Sequence, residues 1–147
     1  MSQLLGVLVL IGLLATTAGG AAVRASTVVT RSGIAATLPP RWHVVDRRLT
    51  LCSDPVERLA VSGRGALVML QERLGGSRGF AGRPDRFELE GKPYQLECCA
   101  PLQRAGWFLN FRDAGRGFYA YVYLGAAGTR AEALAILGSL RISRSRR

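Results

Sequence analysis

The sequence predicts an α+β domain, a mainly antiparallel sheet of hairpins with one C-terminal helix packed on one face. Three observations carry that expectation. From residue 26 onward, short β-prone runs alternate with turn residues at close spacing. A single stretch near the C-terminus combines a helix start signal with helically spaced apolar residues. The 147-residue chain, less an apolar leader, has the length of one domain with a modest core.

The leader comes first. Residues 1–23 carry no charged side chain, whereas the following 124 carry all of the 20 basic and 10 acidic residues. Residues 4–15 form a near-continuous apolar run, followed by the small residues of 16–22. This is the order of a secretory h-region and a signal-peptidase cleavage zone, with Ala18, Ala21 or Ala22 as the residue before the cut. The strongly apolar run is shorter than the roughly 20 residues that span a bilayer as a helix. Adding the Ala/Gly/Thr stretch reaches that length, so an uncleaved N-terminal anchor is the alternative. The organisation is then 1–22 signal peptide or anchor, 23–142 a single α+β domain and 143–147 a basic tail.

The domain reads as four hairpins. Residues 26–30 and 34–38 flank Ser32-Gly33, and Pro39-Pro40 stops the second run before a strand at 42–45. Asp54-Pro55 reads as a single helical turn with proline at its first position. Residues 58–62 and 66–72 sit around Gly63-Arg64-Gly65, and 75–84 reads as a mobile Gly/Arg loop. A third hairpin is expected from 86–90 and 94–98 around Gly91-Lys92. The fourth joins 107–112 to 117–124 through Asp113-Ala114-Gly115-Arg116.

Pairing Arg112 with Gly117 places Trp107, Leu109, Phe111, Phe118, Ala120 and Val122 on one face, the better core candidate. Phe108, Asn110, Tyr119, Tyr121 and Tyr123 take the other. For the helix, Thr129 and Glu132 form a capping-box pattern. Ala133, Leu134, Ile136 and Leu137 supply its apolar side, Gly138 is placed to stop it, and 140–142 returns as a final strand.

Charge bounds the partners. The net charge is +10, yet nineteen of the basic residues are Arg and Lys92 is the one lysine. This skew, beside abundant Ala and Gly, reads as GC-rich coding and is discounted as evidence for a nucleic-acid partner. A long-range pull toward an anionic surface, polymeric or membrane, remains expected.

Cys52, Cys98 and Cys99 are an odd count for an exported chain. One disulfide plus one buried thiol is the simplest solution, Cys52 pairing with Cys98 or Cys99. Adjacent residues on a strand point to opposite faces, so only one of the two readily meets Cys52. The bond would close a loop of more than 40 residues, worth about 3–4 kcal/mol in the chain-entropy account.

Catalytic constellations are weak. Gly75-Gly76-Ser77-Arg78-Gly79 matches the letters of a nucleophile elbow, but no good helix start follows and His43, the sole histidine, precedes the serine. A cysteine nucleophile activated by His43 defines the enzyme alternative. No metal-ligand spacing is present and no cofactor is implied. Residues 116–123 approach the RNA-recognition octamer but fail at its fourth and fifth positions; a basic nucleic-acid-binding domain is the second alternative. The strongest binding candidate is the tyrosine face, where Tyr119, Tyr121 and Tyr123 beside Phe108 and Asn110 form an amphipathic platform for a sugar, peptide or acyl ligand. The competing reading is that the helix covers this face.

Two segments carry a resemblance. Residues 33–42, Gly-Ile-Ala-Ala-Thr-Leu-Pro-Pro-Arg-Trp, resemble the strand–Pro–x–Trp opening of PsbP-like domains and related exported lipoproteins, and 131–142 resemble their closing helix and strand. The chain is also similar overall to uncharacterised exported proteins of high-GC actinobacteria. The resemblance implies an antiparallel sheet with helices on its faces and a role in binding or assembly, and it assigns no site residue. The expectation is therefore an exported, non-enzymatic domain that binds an envelope component or protein.

Overall fold

Three two-residue turns organise the strands. Ser32–Gly33, Arg64–Gly65 and Ala114–Gly115 each have positive φ at both positions, from 50° to 79°, the type I′ geometry whose twist matches that of the strands it joins. In the computed structural model, which describes residues 25–95 and 104–144, these turns close the hairpins β1–β2 (Thr27–Arg31, Ile34–Leu38), β4–β5 (Val56–Gly63, Ala66–Glu72) and β6–β7 (Trp107–Asp113, Arg116–Tyr123). A short β3 (Trp42–Val44), the helix α1 (Thr129–Ser139) and β8 (Arg141–Ile142) complete the elements. They form a three-stranded sheet in the order β1-β2-β8 and a five-stranded sheet in the order β3-β4-β5-β7-β6. Every pairing within them is antiparallel. This is the α+β class that the sequence predicts.

The main core lies between the five-stranded sheet and the layer formed by α1 and β2. Ile34, Ala36 and Leu38 enter it from β2, and Ala133, Ile136 and Leu137 from the helix. Val68 and Leu70 of β5, Phe118, Ala120 and Val122 of β7, and Phe111 of β6 meet them. The β6–β7 register pairs Arg112 with Gly117 and Phe111 with Phe118, which sorts the two faces as their alternation predicts.

Five local expectations are corrected. The capping box does not form: the Thr129 hydroxyl donates to the Ala126 carbonyl and accepts from the Gly125 amide. Glu132 is drawn away by the Trp42 indole (2.8 Å) and the Arg64 guanidinium (2.8 Å), and left-handed Gly128 caps the helix start. Gly138 does not stop the helix, which ends one residue later. Arg83 meets the orphan carbonyls there, with Nη1 donating to Leu140 (2.6 Å) and Nη2 to Leu137 and Gly138, a cation where the helix dipole favours one.

Asp54-Pro55 lies in a bend leading into β4 rather than in a helical turn, because the strand already begins at Val56 and pairs there with Glu72 of β5. The near strand of the third hairpin, 86–90, does not form either. Residues 84–93 form no ladder; Phe87 and Leu89 turn into the main core instead, and Phe87 stacks edge-on against Phe111 at 5.2 Å. The 75–84 loop, expected to be mobile, is pinned by buried Phe80 and by the Arg83–Asp113 ion pair. The far strand of the expected hairpin, beyond residue 95, lies outside the described residues.

The two sheets are joined through a buried guanidinium. Arg116 on β7 donates from Nε and Nη2 to the two carboxylate oxygens of Glu72, each at 2.8 Å. Its Nη1 reaches the Ser143 carbonyl beyond β8, and Nη2 reaches the Ser32 carbonyl in the β1–β2 turn. Arg58, the extra residue where the β4–β5 register shifts between Glu57 and Leu59, adds an Nε bond to Glu72 at 2.7 Å. A bulge thus aims a second cation at a carboxylate that burial would otherwise penalise. The hydrogen bonds from Arg116 hold the Glu72 carboxyl below its ordinary range; burial opposes them and Arg58 reinforces them.

A carboxylate whose pKa is lowered by folding stabilises the fold above its unfolded pKa, and that contribution disappears as pH falls through the folded value. Glu72→Ala should therefore cost about 3–5 kcal/mol at pH 7, where it strands a buried Arg116, and progressively less in acid. Urea unfolding across that pH range measures it; a penalty that does not shrink toward acid contradicts the ionic account.

Candidate functional site

The proposed tyrosine platform sits on the face of the five-stranded sheet that points away from α1. The helix covers the opposite face, so the competing reading is corrected. The centre of the tyrosine face is nonetheless covered. Ala60, Leu67, Met69 and Tyr121 form a second small core there, joined by Val45, Leu49, Phe108 and Tyr123. Val45 is tied to β4 through the Ala60 carbonyl, and the Leu49 amide donates to Glu57 at 2.8 Å. The segment after β3 is thereby laid across the sheet, and β5 is buried on both sides.

The three tyrosines are separated in role. Tyr121 is 1% exposed, and its hydroxyl donates to the Arg104 carbonyl at 3.0 Å. Burial pushes its phenol above the ordinary range, Tyr123 adds to the rise and Arg104 opposes it. Tyr119 packs edge-on against Phe80 at 5.0 Å. Tyr123 accepts a hydrogen bond from Arg104 Nη1 at 2.9 Å, with the guanidinium carbon 5.3 Å from the ring centroid. The face is divided, not continuous.

Phe108 and Asn110 remain available. They lie on β6, the edge strand, and line a cleft of about 400 Å³ with Arg86, Glu88, Glu90, Tyr94 and Trp107 among its walls. Phe108 bridges the two aromatic neighbours, 4.8 Å from Tyr121 and 5.3 Å from Tyr94. Tyr94 is 50% exposed and Asn110 is exposed. Gly106, just before β6, holds the cleft's inner end. A Cβ there would strike the Tyr121 ring and the Val122 carbonyl, and its backbone pairs in both directions with Tyr94.

Sequence reasoning found Phe108 and Asn110 but missed the wall from 84–94. The alternation of Arg86, Phe87, Glu88, Leu89 and Glu90 signalled a half-buried extended segment. It could not signal that the buried half would bind the main core without pairing to a strand.

The other candidates are placed as follows. His43 is exposed on β3, opposite Ser62 of β4. Cys52 carries a bonded sulfur, while Cys98 and Cys99, and with them the identity of its partner, lie outside the described residues. Ser77 sits in turns between left-handed Gly76 and Gly79, with no helix after it. Among the described residues no group of three or more His, Cys, Asp or Glu side chains is arranged to hold a metal. The ionic cluster around Arg116 is structural, since both the guanidinium and Glu72 are engaged within the fold.

The fold and site together define an α+β domain with an aromatic edge cleft. No protein-family model, curated protein or solved structure matches the chain.

If Tyr121 is the buried keystone of its face, ultraviolet titration should show a phenol ionising above the usual tyrosine range. Tyr121→Phe should remove that component and cost about 1 kcal/mol, the net value of one hydrogen bond. A high-pKa phenol that persists in the variant would contradict the assignment.

Proposed function

We propose that this protein is an exported, non-enzymatic binding or assembly domain of the cell envelope, retained there or released, and that it engages its partner at the β6 cleft beside Phe108 and Asn110. The observation that carries the export half is the uncharged leader ahead of an arginine-rich domain. The bonded sulfur of Cys52 supports an oxidising compartment, where the disulfide would join it to Cys98 or Cys99. The binding half rests on an open aromatic cleft in a chain whose other aromatic surfaces are engaged internally.

The resemblance to PsbP-like domains supports the same class of role. Its two end segments meet in the fold, through the β2–β8 pairing and the Trp42–Glu132 hydrogen bond. The enzyme alternative needs His43 beside a reactive thiol, and the bonded state of Cys52 removes one of the three thiols it could use. Nucleic-acid binding finds no support in β7, where Phe118 and Tyr121 of the octamer-like stretch are buried.

N-terminal sequencing of the protein from an envelope or culture fraction should begin just after Ala18, Ala21 or Ala22, or at Met1 in a membrane-retained form. Alkylation before reduction should label fewer than three cysteines. Recovery of soluble cytosolic protein with Met1 intact and all three thiols free would overturn the assignment.

A further inference from the structure

The backbone of β6 has an open interval with closed ends. Arg112 donates its amide to the Ala81 carbonyl (2.7 Å) and accepts at its carbonyl from the Arg83 amide (3.0 Å). At the other end Gly106 exchanges both of its backbone bonds with Tyr94, at 2.9 and 3.0 Å. Both residues thus direct their main-chain groups outward, away from β7. Residue parity in an antiparallel ladder makes Phe108 and Asn110 outward as well. Among the described residues nothing pairs with those four main-chain groups, and they face the cleft.

We propose that this interval is a docking slot for a short extended peptide from a partner protein, which adds as a strand to β6. The proposal rests on the reading of the β6 cleft as the binding site and names the ligand class for it. Unpaired N–H and C=O groups at strand spacing are matched in register by another backbone, the basis of recognition by strand addition, whereas an acyl chain would leave them unmatched and a sugar's hydroxyls do not repeat at the strand spacing. Residues 107–111 extend roughly 17 Å at the strand repeat, room for about five residues. A second copy of this chain is a poor occupant, because its own β6 edge carries the same closures at Gly82 and Tyr94. Two such edges would meet through their closures first.

The walls also give the slot a direction. Gly82 bridges Arg112, and the Gly91 carbonyl accepts from the Trp107 indole. Arg86 therefore stands toward the Arg112 end and Glu90 toward the Gly106 end. A complementary peptide carries an acidic residue at the first end, a basic residue at the second, and apolar side chains between them against Phe108 and Tyr94.

A phage-displayed library of random linear heptapeptides, panned on the full chain, tests this. Enriched sequences should be β-branched, with one acidic and one basic residue about four positions apart. A synthetic peptide of the enriched sequence should bind Asn110→Ala within about twofold of wild type, because that change keeps the backbone donor. Asn110→Pro should weaken it about fivefold, the value of one lost hydrogen bond. Proline is tolerated at an outward edge position because no bond to β7 is lost. Should Asn110→Pro fail to fold by circular dichroism, N-methylating alternate peptide residues removes the complementary bonds, those that the peptide donates to the Phe108 and Asn110 carbonyls, and should cause a comparable loss. No enrichment, or binding indifferent to both Asn110→Pro and N-methylation, overturns the slot. Peptides that bind elsewhere would leave a binding domain without this edge as its site, and the N-terminal sequencing result stands independently of either outcome.

Discussion

The fold depends on a charge buried where two sheets meet. Arg116 is 7% exposed and Glu72 8%, and the guanidinium also reaches carbonyls from the first hairpin turn and from the end of the chain. Burying two ions is costly unless geometry is good and the remaining donors are satisfied. Here the pairing is bidentate, the pattern suited to arginine and carboxylate, and the bulge at Arg58 supplies a further donor. Removing Glu72 would leave the Arg116 guanidinium, 7% exposed, without its carboxylate. The pair therefore fixes how the small sheet sits against the large one more than it adds net stability.

That arrangement decides which surfaces remain for function. The helix and β2 take one face of the five-stranded sheet, and the segment after β3 takes the middle of the other. With both faces occupied, the outward side of β6 offers main-chain groups beside an aromatic cleft. Exposed sheet edges invite unwanted pairing and are usually blunted. Here the two ends of the edge are closed by the chain itself, and only the interval around Phe108 and Asn110 stays open. Restricting an edge to a few residues limits self-association while preserving recognition of a short strand.

Much of the fold was legible in the sequence because local signals and tertiary packing agreed. Turn pairs such as Ser32-Gly33 and Ala114-Gly115 announced their hairpins, and the alternation across 107–123 assigned each residue to its face of the sheet. The failures have a common cause. Thr129 and Glu132 satisfied the pattern of a capping box, but Trp42 and Arg64, 90 and 68 residues away, competed for the carboxylate. Phe87 and Leu89 had the alternation of a strand but found apolar partners in the core instead of a ladder. The tyrosines were read as one platform because spacing reports which face a residue takes, not what long-range segment lies over it. Long-range partners are absent from local pattern, and the cleft wall from 84–94 was lost for that reason.

The central functional claim is that the β6 backbone is open at two positions and closed on either side of them. Residue-resolved amide hydrogen exchange on the unliganded protein measures this directly. Fast exchange at Phe108 and Asn110, between slowly exchanging Leu109 and Phe111 and with Gly106 and Arg112 protected, is the result this architecture predicts. Uniform protection from 106 to 112 would mean that another segment already pairs with the edge, and the open interval would not exist.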